Sequence, residues 1–139
     1  MTTFESAVTK ATCNESAIFG LLSDLNNLEK IKDRIPENML NELVFDTDSC
    51  RFTVDPVGQI GLRIIERTPD QMIKFAAEQS PVDFNLWIQL KQVAEDDTRI
   101  KVTLKADLNP MIKMMASKPI ETFVNKLAET LSNLPYDHS

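Results

Sequence analysis

A chain of 139 residues with 42% hydrophobic and 26% charged residues has the composition of an ordinary globular protein, so we expect one domain spanning residues 1–139. The formal net charge is −6 and no stretch concentrates Lys and Arg, which argues against nucleic acid as a partner. The sequence carries neither a secretory signal nor a run of about 18 apolar residues, so we expect a cytoplasmic protein without integral membrane association.

The N-terminal part of the chain predicts one strand followed by two short helices. Residues 3–11 are rich in β-tolerant residues and suit an opening strand. Thr12 and Glu15 have the spacing of a helix capping box, and Asn14 offers an alternative cap. The apolar residues that follow recur at spacings of three and four: Ile18, Leu21, Leu22 and Leu25. A second short helix is predicted from Leu28 until Pro36 ends it.

From about residue 42 the apolar period changes to two, which predicts six successive strands joined by short turns. The clearest alternation lies in residues 82–91 and 100–107, with the acidic connection 95–97 between them. One face of the predicted sheet is therefore apolar. Its members include Leu62, Ile64, Phe75, Phe84, Leu86, Ile88, Val102 and Leu104.

The last predicted element is a long helix that Asn109 caps and Pro110 begins. Its apolar residues form one stripe from Ile120 to Leu134, and Pro119 should either kink the helix or restart it. Consecutive strands with short turns form an antiparallel meander, whose apolar face needs a cover. A seven-stranded sheet curls, so a single helix on its concave side should leave part of the hollow unfilled.

This order of elements resembles the START/SRPBCC superfamily, which includes the major birch pollen allergen and polyketide cyclase or dehydrase-like proteins. The resemblance covers nearly the whole chain and rests on the segments LLSDLNNLEKI, FNLWIQL and TRIKVTLKAD and on the helix beginning at Pro110. It implies the helix-grip fold, an α+β fold in which a curved seven-stranded antiparallel sheet wraps a long C-terminal helix. Two short helices follow the first strand.

The resemblance also implies a cavity between sheet and helix that takes up a small apolar ligand, such as a lipid, a polyketide or an isoprenoid-like molecule. Met111, Met114 and Met115 begin the long helix, where flexible thioethers suit either an adaptable ligand surface or gap-filling core. The residues we assign to ligand binding are Leu62, Ile64, Phe75, Phe84, Leu86, Ile88, Val102, Leu104, Met111, Met115 and Phe123.

No catalytic set stands out, and we expect no cofactor or metal. The only histidine, His138, lies next to the C-terminus, and Cys13 and Cys50 form no C-x-x-C pair, so reduced and inert thiols are the favoured interpretation. A polyketide cyclase or dehydratase is the alternative function, with three nominated residues: Thr47, Glu66 and Tyr136. Glu66 points into the cavity if its strand alternates regularly, and lies at the solvated rim otherwise.

Other polar and aromatic features have plainer interpretations. Asp46 with Asp48, and the acidic run 95–97, fit solvated turns better than acid–base pairs or a cation site. Trp87 falls on the polar face of its strand, and Ile65 shares that face under the same alternation. This pattern leaves open a homodimer contact, or a protein–protein interaction module, on the outer face of the sheet.

Overall fold

The computed structural model describes residues 2–27, 29, 41–54, 58–80 and 82–134. Within these ranges the strands are β1 (Thr2–Glu5), β2 (Thr9–Ala11), β3 (Asn41–Phe45), β4 (Ser49–Val54), β5 (Gly58–Thr68), β6 (Met72–Ala77), β7 (Asp83–Ala94) and β8 (Asp97–Asp107). The α-helices are α1 (Glu15–Leu22) and α2 (Pro110–Ser132), and a 3₁₀ turn spans Leu25–Asn27. The strands form one antiparallel sheet in the order β1-β8-β7-β6-β5-β4-β3.

The predicted opening strand is interrupted, because β1 and β2 both pair with β8. At the break, the Ser6 backbone N–H donates to the Val102 carbonyl over 2.8 Å, and the Ser6 hydroxyl accepts from the Val102 N–H over 2.9 Å. The Ser6 hydroxyl thus takes the place of a backbone carbonyl as the acceptor for one N–H of β8. The eight described strands therefore fill seven positions, which confirms the predicted seven-stranded curved sheet.

The C-terminal half of α2 packs on the inner face of the sheet, as the helix-grip prediction requires. Val124 and Ala128 are 0% exposed, and Leu131 is also buried. Two hydrogen bonds join the helix to the interrupted edge strand: Ala7 N–H donates to the Asn125 side chain over 2.9 Å, and the Thr9 hydroxyl donates to the Ala128 carbonyl over 3.0 Å. These contacts fix the position of the helix along the sheet.

The N-terminal half of α2 is capped as predicted, since the Asn109 side chain accepts from the Ile112 N–H over 2.9 Å. The helix continues through Pro119, so the predicted restart does not occur. Although α2 has 23 residues, no helix in the described ranges is both long and apolar enough to cross a membrane.

At the start of α1 the Asn14 side chain caps the helix and accepts from the Ala17 N–H over 2.8 Å. The predicted capping box of Thr12 and Glu15 is therefore wrong. Glu15 instead exchanges hydrogen bonds with Gln92 at the end of β7, which ties the helix to the sheet. The second predicted helix, from 28 to 35, lies outside the described residues apart from position 29.

Gly61 in β5 lies directly beside the backbone of Glu78, the residue that follows β6. The Glu78 N–H donates to the Gly61 carbonyl over 2.9 Å, and a methyl group built on Gly61 would lie 1.9 Å from the Glu78 carbonyl oxygen. Backbone atoms occupy that space, so the position accepts only hydrogen at Cα.

Substituting Gly61→Ala should lower the free energy of unfolding by about 1–3 kcal/mol or more, because the backbone at Glu78 has to move and its hydrogen bond weakens. Gly20→Ala is the matched control, since Gly20 lies in α1 with no atom within 4 Å of the added methyl. That change should stabilise the protein by roughly 0.5–1 kcal/mol. Urea unfolding of both variants measures the difference, and equal stabilities would contradict the close crossing.

Both cysteines are free and buried within the core. Burial raises the pKa of the Cys50 thiol to about 12, and the negative charge of Asp46 acts in the same direction. Burial also raises the pKa of Cys13, with a smaller contribution from Asp96. Because the thiolate is the reactive form, the fold suppresses the reactivity of both side chains.

At about pH 8, near the ordinary pKa of cysteine, an aromatic disulfide reagent should therefore label neither thiol of the folded protein. The same reagent should label both thiols of the denatured chain. Since the folded pKa of Cys50 exceeds its unfolded value, the stabilising effect of the neutral thiol is present below the unfolded pKa and is lost as the pH rises toward 12. Absorbance of the released thiolate measures the reaction, and rapid native labelling would show that the thiols are accessible.

Candidate functional site: the cavity between sheet and helix

A partly open space of about 40 Å³ lies between the inner face of the sheet and the middle of α2. Ten side chains, all from described residues, surround it, and each is entirely hydrocarbon. They are Phe52, Ile60, Leu62, Val82, Phe84, Leu86, Leu104, Ala106, Ile120 and Phe123. A cavity of this kind stays dry unless an apolar guest enters it.

The pairing of β7 with β8 forms the floor of the cavity. Leu86 lies opposite Leu104, and Phe84 lies opposite Ala106, so two successive inward pairs line the same end of the sheet. Ala106 has the smallest of these four side chains, which leaves space between β8 and α2. The cavity therefore forms where a small residue meets the part of α2 that lies before its tightly packed half.

Two stacked aromatic rings close the remaining side of the cavity. The ring centroids of Phe52 on β4 and Phe123 on α2 are 5.7 Å apart, with an angle of 21° between the ring planes. Phe52 is 2% exposed, whereas Phe123 is only partly buried. Phe123 is thus the lining aromatic whose displacement disturbs the core least.

The volume of the cavity sets a clear limit on what it can hold in this conformation. Ligand sites usually exceed about 300 Å³, and a space of about 40 Å³ admits no more than a few water-sized probes. Side chains have to move before a lipid-sized guest can enter. In this conformation the space is therefore too small for a ligand of that size.

The structure brings together five of the eleven residues assigned from the sequence to ligand binding: Leu62, Phe84, Leu86, Leu104 and Phe123. Four more are buried in the core but do not line the cavity: Ile64, Phe75, Ile88 and Val102. These four also point inward, in agreement with their alternation. Ile64 and Phe75 lie in one row across the sheet with Leu86, whereas Ile88 and Val102 form the next row.

The remaining two assigned residues, Met111 and Met115, lie outside the cavity. They are 73% and 58% exposed, and Met114 beside them is 88% exposed. The neighbouring residues Ile112 and Ala116 pack toward the core instead. The methionines therefore occupy the outer side of the first turns of α2, neither lining the cavity nor filling the core.

Five lining residues were not assigned from the sequence: Phe52, Ile60, Val82, Ala106 and Ile120. Alternation gives the inward face for four of them, and Ile120 begins the apolar stripe of the last helix. The missing information was the position of the cavity along the strands. That position depends on where α2 crosses the sheet.

Glu66 is exposed and lies outside the cavity, because a β-bulge interrupts the alternation of β5. Ile64 pairs with Phe75, whereas Glu66 pairs with Lys74, so one extra residue of β5 fits between two successive positions of β6. The bulge moves Glu66 to the outer face. Thr47, another nominated catalytic residue, is exposed and accepts a hydrogen bond from Asn26 over 2.7 Å.

The acidic residues considered from the sequence belong to turns. The Asp46 carboxylate accepts hydrogen bonds from the backbone N–H groups of Asp48 and Ser49, which hold its pKa below the usual range. The side chain of Arg99 lowers the pKa of Asp97 in the same way. Asp46 is exposed and stabilises its turn, whereas Asp97 is half-buried and pairs with Arg99 and Lys10.

No group of three or more His, Cys, Asp or Glu side chains within the described ranges is arranged to hold a metal ion. Tyr136 and His138 lie outside the described residues. Among the described residues, the side chains that line the cavity carry no polar atom.

Comparison with known proteins finds proteins of similar structure but none of similar sequence. No family model matches the sequence, and no curated protein matches it. The fold matches protein XoxI from Bacillus cereus at a TM-score of 0.70 and 13% identity, covering 95% of this chain and 94% of that one. It matches norcoclaurine synthase from Thalictrum flavum at a TM-score of 0.73 and 14% identity, covering 94% and 84%.

A START superfamily protein from Mycobacterium smegmatis also matches, with a TM-score of 0.64, 15% identity and 94% of each chain covered. Norcoclaurine synthase has also been solved in complex with dopamine and hydroxybenzaldehyde. At identities this low the likeness concerns the fold alone, and it extends over almost the entire chain. The chain therefore has the helix-grip fold that these neighbours share.

Proposed function

We propose that this protein binds a small hydrophobic molecule, such as a lipid, a polyketide or an isoprenoid-like compound, between the sheet and α2. The observation that carries this proposal is the lining: ten converging hydrocarbon side chains around an unfilled space. A neighbour of the same fold, norcoclaurine synthase, holds small aromatic molecules in its complex. The proposed contact set is the ten lining residues.

Ligand entry requires either the Phe123 side chain or the first turns of α2 to move away from the sheet. The hydrogen bonds from Ala7 and Thr9 hold the helix at Asn125 and Ala128, beyond the cavity. Ile120 and Phe123 precede these anchors and are only partly buried. Rotation of the Phe123 side chain, or a small outward movement of the first turns, enlarges the cavity without breaking either anchor.

A cyclase or dehydratase acting in the same cavity would need at least one acid, base or hydroxyl beside the ligand. The described lining contains none, and Thr47 and Glu66 are exposed. We therefore favour binding over catalysis. We also propose a cytoplasmic location, because the two buried free thiols suit a reducing compartment.

Uptake of a fluorescent naphthalene dye by the purified native protein tests the proposal directly. Saturable enhancement of the dye, displaced competitively by a fatty acid, is the expected result, because both molecules require the same apolar space. Native mass spectrometry of freshly purified protein provides a second measurement through any co-purified mass. Absence of dye uptake together with absence of a bound mass would contradict the proposal.

Phe123→Ala removes the ring that closes the cavity, so the dye should bind more tightly. Burial of a ring-sized apolar group contributes about 1.5–3 kcal/mol, which corresponds to about a tenfold or greater gain in affinity. The variant should lose less stability than the roughly 3–5 kcal/mol of a fully buried Phe→Ala change.

Phe19→Ala is the matched control, because Phe19 is also partly buried on a helix and packs on the core without lining the cavity. This control should leave dye affinity unchanged. Equal gains in both variants would show that the dye binds a loosened core, and would count against a defined site.

A further inference from the structure

An open groove of about 490 Å³ crosses strands β1, β8 and β7 on the outer face of the sheet. It is lined by Thr3, Glu5, Trp87, Gln89, Thr103 and Lys105. Leu86 and Ile88, the neighbours of Trp87 in β7, point to the inner face. The groove is therefore separated from the cavity by the thickness of the sheet, and its lining is largely polar.

Trp87, the only tryptophan of the chain, lies between two lysines on this face. The ammonium nitrogen of Lys74 is 5.2 Å from the ring centroid, and that of Lys105 is 5.7 Å from it. Cation–π attraction at these distances holds both ammonium groups beside the ring. The ring thus keeps two positive charges in defined positions.

Neither ammonium forms an ion pair within the part of the chain that the structure describes. Lys101 on the same face differs, because it pairs with Glu5 at 3.1 Å. Glu66 lies opposite Lys74 in the register of β5 and β6, yet the two charges make no contact within 4 Å. Lys74 and Lys105 therefore place two positive charges beside Trp87 that no described carboxylate pairs with, whereas Glu5 in the same groove is paired with Lys101.

The polar floor of the groove adds a hydrogen-bond donor beside these charges. Thr103 is 7% exposed although it lies on the outer face, and its hydroxyl donates to the Gln89 side-chain oxygen over 3.0 Å. This bond orients the amide of Gln89. The amide NH₂ group makes no hydrogen bond within the described residues and is free to donate to a ligand.

We propose that this groove binds an acidic peptide segment of a partner protein. Carboxylates of the segment pair with Lys74 and Lys105, and the Gln89 amide donates to its backbone or to a further carboxylate. A partly covered tryptophan surrounded by polar contacts is typical of the residues that dominate the binding energy of protein interfaces. This interaction is distinct from ligand binding in the cavity and does not depend on it.

The charges of the groove favour an acidic peptide over a second copy of the chain and over a nucleic-acid strand. A second copy of the chain docked about a two-fold axis that passes through Trp87 would bring the lysines of one groove close to those of the other, which is unfavourable. A nucleic-acid strand would place a continuous line of phosphates beside Glu5, in a chain of net charge −6. A peptide can space its carboxylates so that they contact the lysines and avoid Glu5.

Fluorescence of Trp87 provides a label-free test, because no other tryptophan contributes to the signal. The probe is a short peptide of alternating Glu and Ser residues, with an alternating Lys and Ser peptide as the charge-inverted control. The acidic peptide should shift the Trp87 emission saturably, more weakly as salt is raised, and the basic peptide should not. No response to the acidic peptide at millimolar concentration would overturn the proposal.

The double variant Lys74→Glu and Lys105→Glu should weaken acidic-peptide binding about tenfold or more, because each change reverses a contacting charge. Lys113→Glu with Lys118→Glu is the matched control, since it makes the same change in net charge on α2. Circular dichroism checks that both variants fold, and the salt dependence of the native protein stands independently of either variant.

Three further results would overturn the acidic-peptide assignment. The first is equal weakening in both double variants, which would indicate a general charge effect. The second is tighter binding of oligothymidylate than of the acidic peptide. The third is a sedimenting dimer that the Lys74 and Lys105 changes dissociate, which would assign the groove to a second copy of the chain.

Discussion

The attachment of the C-terminal half of α2 to the interrupted edge strand is the constraint on which the remaining architecture depends. Val124 and Ala128 are wholly buried, and the bonds from Ala7 and Thr9 reach the same two turns of the helix. The break at Ser6 frees the Ala7 N–H for the bond to Asn125, because a continuous edge strand would direct that group along the sheet, and the Thr9 hydroxyl adds the second bond. The helix is thereby fixed at one end, and the unfilled space can form only at the other.

That asymmetry reconciles a small cavity with a binding function. A resting space of about 40 Å³ costs little stability, since the lining side chains keep most of their packing contacts. An apolar guest would be accommodated by selecting conformations in which Phe123 and the first turns of α2 have moved outward. The burial of new apolar area then offsets the loss of the stacked Phe52–Phe123 contact. Exposed Met111 and Met115 share this half of the helix, where they place no restraint on such movement.

Much of the fold was predictable from the sequence because apolar alternation and helical spacing report which face of each element is buried. The meander of six successive strands and the inward positions of Leu86 and Leu104 followed from these periods, and the helix cap at Asn109 followed from the proline after it. The bulge at Glu66 did not, because one inserted residue reverses the alternation without a distinctive residue type. The position of the cavity also required knowing where α2 crosses the sheet, a long-range property that no local pattern encodes. Periodicity likewise placed Met111 on the helix without showing that its side chain faces solvent.

The two proposed sites share strand β7 and use opposite faces of it. Leu86 lines the cavity, and Trp87, the next residue, lies in the outer groove, because successive side chains of a strand point to opposite sides. β8 pairs with β7 along nearly its whole length, and β6 pairs with it at residues 85–89, so the part of β7 that carries Leu86 and Trp87 is held on both sides. In the proposed binding, α2 moves while the outer groove keeps its shape. The physical separation follows from the sheet itself: one rigid layer can present an apolar pocket and a charged surface without either requiring the other to change.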